Sequence, residues 1–204
     1  MSQHTQHNGA FIVIDIQNDF CPGGALAVTE GDTIIAGINS EIERFDHVIL
    51  TQDWHPAAHS SFASTHTGRA PYEMITMPYG EQTLWPDHCI QGSHGAEFHP
   101  HLQWTKAELI IRKGFRKAID SYSAFFENDH TTPTGLGGYL RERGITDVTL
   151  AGLATDFCVA YSALDAIEQG FNVTVLPDLS RGIDIGGSLQ TMMDRMAQGG
   201  VTFR

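Results

Sequence analysis

Residues 10–15 read AFIVID, an apolar run with no polar position before Asp15. A strand with one face in water alternates polar and apolar residues, so an unbroken run is a strand covered on both faces. Parallel sheets between helical layers provide that cover, and the rest of the chain follows the same pattern. HVILTQD (His47–Asp53) and ELIIRK (Glu108–Lys113) are further short apolar segments, joined later by DVTLAG, NVTVLPD and the terminal VTFR. Between them, Ile34, Ile35, Ile38, Ile42 and Phe45 fall on one helical face of DTIIAGINSEIERF. GLGGYLRERG reads as a short helix, Val159, Ala160, Ala163, Leu164 and Ile167 recur at helical spacing, and residues 186–198 form a last helix. Strands alternating with helices predict an α/β fold: a mostly parallel, doubly wound sheet of about six strands with helices on both faces.

A chain of 204 residues supports one core and shows no linker, so a single domain is expected over 10–204. The polar start, MSQHTQHNG (residues 1–9), reads as a flexible tail and lacks the apolar run of a secretion signal. Three cysteines, an odd number, argue against a disulfide scaffold and for a reducing cytoplasm. No run has the length of a membrane span. With 24 acidic against 12 basic residues and a net charge of -12, the surface is unsuited to nucleic acid or anionic membranes. A small-molecule ligand fits better. A homo-oligomer is compatible with the sequence, which does not specify one. Pro56 to Thr105 shows no regular element, and a loop region that long, about 53–105, usually carries function.

In an open parallel sheet, ligands bind outside the carboxyl ends of the strands. Asp15, Asp53 and Lys113 end the first three strands, and Cys158 follows the fourth in TLAGLATDFCV. The cysteine falls in or near a first helical turn, with Thr155 or Asp156 available as its N-cap, where the helix dipole favours thiolate. Asp15, Lys113 and Cys158 then supply base, cation and nucleophile. Asp53 and His55 alternate beyond a strand end, with His59 and His88 further along. One carboxylate and two or three imidazoles suit one divalent transition metal ion, zinc, iron or manganese, with positions left open.

FIVIDIQNDFCPGGALAV, TQDWHP followed by HSSFA, LWPDHCIQGSHGAEFH, RKG, DSYSAFF and GLATDFCV occur in this order from Ala10 onward. Together they resemble the nicotinamidases, also called pyrazinamidases, within the isochorismatase-like cysteine hydrolases. The resemblance implies hydrolysis of nicotinamide to nicotinate and ammonia, a step of NAD salvage, with pyrazinamide as a second substrate. By matching motif it implies Cys158 as nucleophile, Asp15 as acid and base, Lys113 as cation, and Asp53, His55 and His88 as metal ligands, with His59 outside that set. It further implies Phe20 and Trp85 about the pyridine ring, Tyr122 in the pocket wall, a cis peptide at Leu153–Ala154, and an oxyanion hole from the N–H groups of Ala154 and Cys158. Cys21 and Cys89 read as packing residues, Asp19 as a loop-fixing acceptor, and Phe157 as a neighbour of the nucleophile without a settled role.

Two alternatives stay open on the residues themselves. Relatives acting on other small amides, such as N-carbamoylsarcosine or ureidoacrylate, share the triad but generally lack the metal-ligand set. A non-catalytic metal-binding or thiol-redox module would leave Asp15 and Lys113 without a purpose, and the chain has no CxxC.

Overall fold

The computed structural model describes residues 7–204. In chain order its elements are β1 (His7–Ile14), α1 (Ile35–Ile42), β2 (Phe45–Asp53), β3 (Met74–Met77), β4 (Gly80–Thr83), β5 (Leu109–Lys113), α2 (Leu136–Glu142), β6 (Asp147–Leu153), α3 (Ala160–Glu168), β7 (Asn172–Arg181), α4 (Ser188–Gln198) and β8 (Thr202–Phe203). Six strands form one parallel sheet in the order β5-β2-β1-β6-β7-β8, and β3 and β4 form a separate antiparallel pair.

The run that opened the sequence reading lies in the interior of the sheet, between β2 and β6. Successive side chains of a strand face opposite ways. Phe11 and Val13 accordingly pack with Ile35, Ile38 and Ile42 of α1 on one face. Ala10, Ile12 and Ile14 pack on the other with Leu136 and Leu140 of α2, Ala160, Ala163 and Ala166 of α3, and Met192 and Met196 of α4. Each of these five β1 side chains is at most 1% exposed. Burial of that kind contributes roughly 1.5–3 kcal/mol for a large aliphatic or aromatic side chain.

Three boundaries differ from the sequence reading. β1 starts at His7, inside the segment read as a tail, whose earlier residues lie outside the described ones. Phe45, read as the last residue of a helical face, begins β2 instead and stacks on Phe11 with ring centroids 5.4 Å apart. Its apolar side chain satisfies both patterns, and the neighbouring strand decides. The region 53–105, read as a long loop, contains the β3–β4 hairpin. MITM is apolar at three of its four positions, Met74, Ile75 and Met77, so no alternation marked it as a strand.

The strand order places β2 and β5 on one side of β1 and β6, β7 and β8 on the other. The two halves therefore diverge between the carboxyl ends of β1 and β6, the crevice in which open α/β sheets bind ligands. Gly152 brings these two strands together there. A Cβ at that position would stand 2.1 Å from the Ile14 carbonyl oxygen, and its φ of +132° is one that L side chains rarely adopt.

Candidate active site

Four elements deliver the polar groups of the crevice. Asp53 and Lys113 are register partners at the ends of β2 and β5, so their side chains leave the sheet side by side. Asp15 directly follows β1, with a left-handed φ of 49° that aspartate tolerates better than most residues. Cys158 sits in a π-helical turn, Thr155–Val159, between β6 and α3. The peptide before that turn, Leu153–Ala154, is cis.

Lys113 joins these groups. Its Nζ lies 2.8 Å from Asp15 Oδ2, 2.5 Å from Asp53 Oδ1 and 3.4 Å from Cys158 Sγ, and it donates to the Ser121 carbonyl at 3.3 Å. Asp15 Oδ1 accepts the Thr51 hydroxyl at 2.6 Å, and the Asp15 N–H donates back to Thr51 Oγ1 at 3.1 Å. Gln17 holds the end of β2 in place. Its amide donates to Asp53 O at 2.8 Å and Ala96 O at 2.9 Å and accepts the Asp53 N–H at 2.8 Å.

Complete burial governs the electrostatics. It would lower the Lys113 pKa, but Asp15 and Asp53 reverse the effect and hold the ammonium protonated, well above its ordinary value. It would raise the Asp53 pKa, but Lys113 and then His55 hold that carboxyl well below the usual carboxylate range. For Asp15, burial outweighs the pull of Lys113 and the pKa rises, which makes it a stronger base than a surface carboxylate. Burial also pushes the Cys158 thiol well up against the pull of Lys113, and Asp15 and Asp53 add to the rise. Both effects oppose the pull towards thiolate expected from the helix terminus.

Neither proposed N-cap is one. The turn has no side-chain cap. Asp156 instead accepts the N–H groups of Ile183 and Asp184, each at 2.9 Å, together with the Ser188 hydroxyl, so it braces the loop ahead of α4.

Asp53, His55 and His88 present one ligand atom each to a common point, all within 4.8 Å of one another, and all three are buried. His55 Nε2 is 3.3 Å and His88 Nε2 3.5 Å from Asp53 Oδ2. The opposite ring nitrogens donate to carbonyls, His55 Nδ1 to Gly114 at 2.9 Å and His88 Nδ1 to Pro86 at 2.8 Å. That arrangement turns both Nε2 atoms inward, as metal-ligating histidines are held. Burial alone would lower the His55 pKa, but Asp53 and then Asp120 outweigh it and raise it. His59 belongs to a second group with His55 and Asp120. However, its Nε2 donates to Arg116 O at 2.9 Å and Ile119 O at 3.1 Å, and its Nδ1 accepts the Ser61 N–H at 3.2 Å. Both nitrogens are committed, and burial lowers its pKa towards the neutral form.

A cleft open to solvent lies over these groups. Phe20, Trp85, Tyr122, Ala154 and Cys158 line it, beside Asp53 and His88. The Trp85 indole N–H donates to Tyr122 Oη at 3.2 Å, and Phe157 meets Trp85 edge to face at 4.8 Å. Phe157 is thus a wall of the cleft. The sequence reading missed Leu26, Ile183 and Asp120, which line it too. Asp120 stands in the motif DSYSAFF, where a carboxylate next to the Tyr122 segment was the available signal.

Cys21 and Cys89 are buried and unpaired and stay outside the cleft lining. Burial raises the Cys21 pKa to about 11 and that of Cys89 well above its ordinary value, and among the described residues no lysine is hydrogen-bonded to either sulfur as Lys113 is to Cys158. Asp19 fixes its loop as expected, accepting the N–H groups of Ala25 at 3.1 Å and Cys89 at 2.7 Å.

The isochorismatase domain matches residues 9–204. A nicotinamidase of Acinetobacter baylyi is 54% identical over 195 residues, covering 96% of this chain and 91% of its own. The structure of an Acinetobacter baumanii nicotinamidase/pyrazinamidase superposes with a TM-score of 0.96 at 57% identity, covering 98% of this chain and 96% of the other. That of a Pyrococcus horikoshii pyrazinamidase in complex with zinc does so at 0.79 and 35% identity, covering 97% and 99%. A crevice built from Asp15, Lys113 and Cys158 beside a buried Asp-His-His group, in a chain matched over nearly its whole length, belongs to a member of the isochorismatase family.

Proposed function

We propose that the chain is a nicotinamidase, hydrolysing nicotinamide to nicotinate and ammonia and accepting pyrazinamide in the same cleft. The observation that carries this reading is Lys113 Nζ within 2.8 Å of Asp15 and 3.4 Å of Cys158 Sγ at the floor of an aromatic cleft.

Asp15 takes the thiol proton from Cys158, and Lys113 remains paired to the site while charge moves from carboxylate to sulfur. The thiolate attacks the carboxamide carbon. The N–H groups of Ala154 and Cys158 receive the oxyanion, a contribution of several kcal/mol in comparable sites. As the C–N bond breaks, Asp15 returns the proton to the leaving nitrogen and ammonia departs. Asp15 then accepts a proton from water, the hydroxide cleaves the thioester, and the proton returns to Cys158 as nicotinate leaves. Phe20, Trp85 and Tyr122 enclose the ring and exclude bulk water.

Asp53, His55 and His88 would hold one divalent ion, with zinc the first to test and iron and manganese also suited to the donor set. Such an ion would supply a Lewis acid able to anchor the pyridine nitrogen and so help orient the carboxamide. We place the enzyme in a reducing cytoplasm, in keeping with its unpaired cysteines. Among the described residues no helix is long and apolar enough to cross a membrane.

Ammonia release from nicotinamide is the test, with Cys158→Ala as the blank. Release by the parent alone is expected. Turnover retained by the variant would overturn the thiolate mechanism, and no release from the zinc-loaded parent would overturn the substrate.

A further inference from the structure

Asp120 takes no part in the acyl transfer above, yet it is 2% exposed and opens onto the same cleft as Asp53 and His88. Its Oδ1 accepts the Ser121 N–H at 2.8 Å and its Oδ2 the Gln82 side-chain amide at 3.2 Å. Both donors are neutral. Among the described residues, the basic atom within ion-pair range is His55 Nε2, 4.0 Å from Oδ1. That nitrogen also faces Asp53 at 3.3 Å, and as a neutral metal ligand it offers Asp120 no charge. A buried carboxylate with only neutral partners is costly unless a cation joins it.

The surrounding charges point the same way. The Lys113 ammonium is already divided between Asp15 and Asp53. Asp15, Asp53 and Asp120 thus set three carboxyl groups against one ammonium, and one divalent ion balances the remainder. Gln82 on β4 fixes the third of them from the hairpin side. It is fully buried and donates to Tyr122 Oη at 2.8 Å as well as to Asp120.

We propose that Asp120 is an outer carboxylate of the metal centre, accepting hydrogen bonds from water bound to the cation and supplying negative charge that Asp53, shared with Lys113, does not supply alone. The inference rests on the reading of Asp53, His55 and His88 as ligands. It makes Asp120 a positioning residue, acting on the substrate through the ion.

The test is zinc affinity of the full-length chain, stripped of metal and titrated against a competing chelator. Parent, Asp120→Asn, Asp120→Ser and His88→Ala are compared, and the melting temperature of each metal-free form is recorded. The parent is expected to bind one zinc per chain and His88→Ala to lose it. Both Asp120 variants bind about 10- to 100-fold more weakly. Their metal-free melting temperatures stay close to that of the parent, because His55 keeps its nearer partner Asp53 at 3.3 Å when the carboxylate 4.0 Å away is gone. Zinc affinity within about twofold of the parent in a folded Asp120 variant overturns the proposal. So does a weakened affinity accompanied in both variants by a lower metal-free melting temperature, which marks a structural role. A parent that binds no zinc overturns the ligand reading, and this proposal with it.

Discussion

The carbonyl of Gly114 accepts the His55 Nδ1–H at 2.9 Å, and a Cβ on Gly114 would stand 2.3 Å from the same imidazole. Its φ is +64°. Gly114→Ala therefore strains the backbone, at a cost of roughly 1–2 kcal/mol, and displaces the ring that orients Nε2. Chelator competition is expected to show zinc binding at least about tenfold weaker, with a lower melting temperature. Unchanged zinc affinity would show that His55 needs no such brace.

Lys113 compensates two buried carboxylates at once. Lys113→Met leaves Asp15 and Asp53 facing each other, and removing one partner of a buried ion pair costs about 3–5 kcal/mol. Urea denaturation should register a loss of that size together with the loss of turnover. A loss below about 1 kcal/mol would mean that the carboxyls are neutralised another way.

His59 and His88 are both buried histidines, and their hydrogen bonds separate them. His59→Gln is expected to lower stability and retain one zinc per chain by elemental analysis, while His88→Ala loses the metal. Loss of zinc from a folded His59→Gln would move His59 into the ligand set.

Asp156 holds the loop that carries Ile183 to the cleft. Asp156→Ala frees two backbone N–H groups and a hydroxyl, with an expected loss of roughly 2–3 kcal/mol. The nicotinamide KM should rise more than kcat falls, since the loop binds the ring and touches none of the reacting atoms. An unchanged KM in the folded variant would count against that.

Burial nudges the Asp129 carboxyl up, but hydrogen bonds from Thr132 and then Thr131 outweigh it and hold the pKa at about 2. A carboxyl depressed from 3.8 contributes stability that is present above its unfolded pKa and is lost as pH falls through the folded one. The difference in urea midpoint between parent and Asp129→Asn should hold steady above about pH 4 and shrink from there towards pH 2. A difference that does not change over that range would rule out the depressed pKa.

Legibility followed the range of the interaction that decides each feature. The buried run of β1 and the helical spacing around Ile38 are local patterns, and both elements stand where those patterns predicted. Phe45 was ambiguous because one apolar residue fits a helical face and a strand alike; contact with Phe11, far off in the chain, resolved it. The β3–β4 hairpin was hidden because MITM does not alternate. Strand ends brought Asp15, Asp53, Lys113 and Cys158 forward, the resemblance narrowed the metal ligands to Asp53, His55 and His88, and the structure draws all six around one crevice.

The upward pull on the Cys158 pKa and the place of Asp120 lay beyond that reach. Sequence alone was enough for the class of fold and for the side chains that arrive at the strand ends, because the alternation of burial is written along the chain. Whether a thiol keeps its proton depends on how many carboxylates share its dry pocket, and whether Asp120 faces a metal site depends on His55, Gln82 and Ser121 meeting it. Those distances come from strand order and register. They are properties of residues far apart in the chain, and only their assembly in space sets the local field.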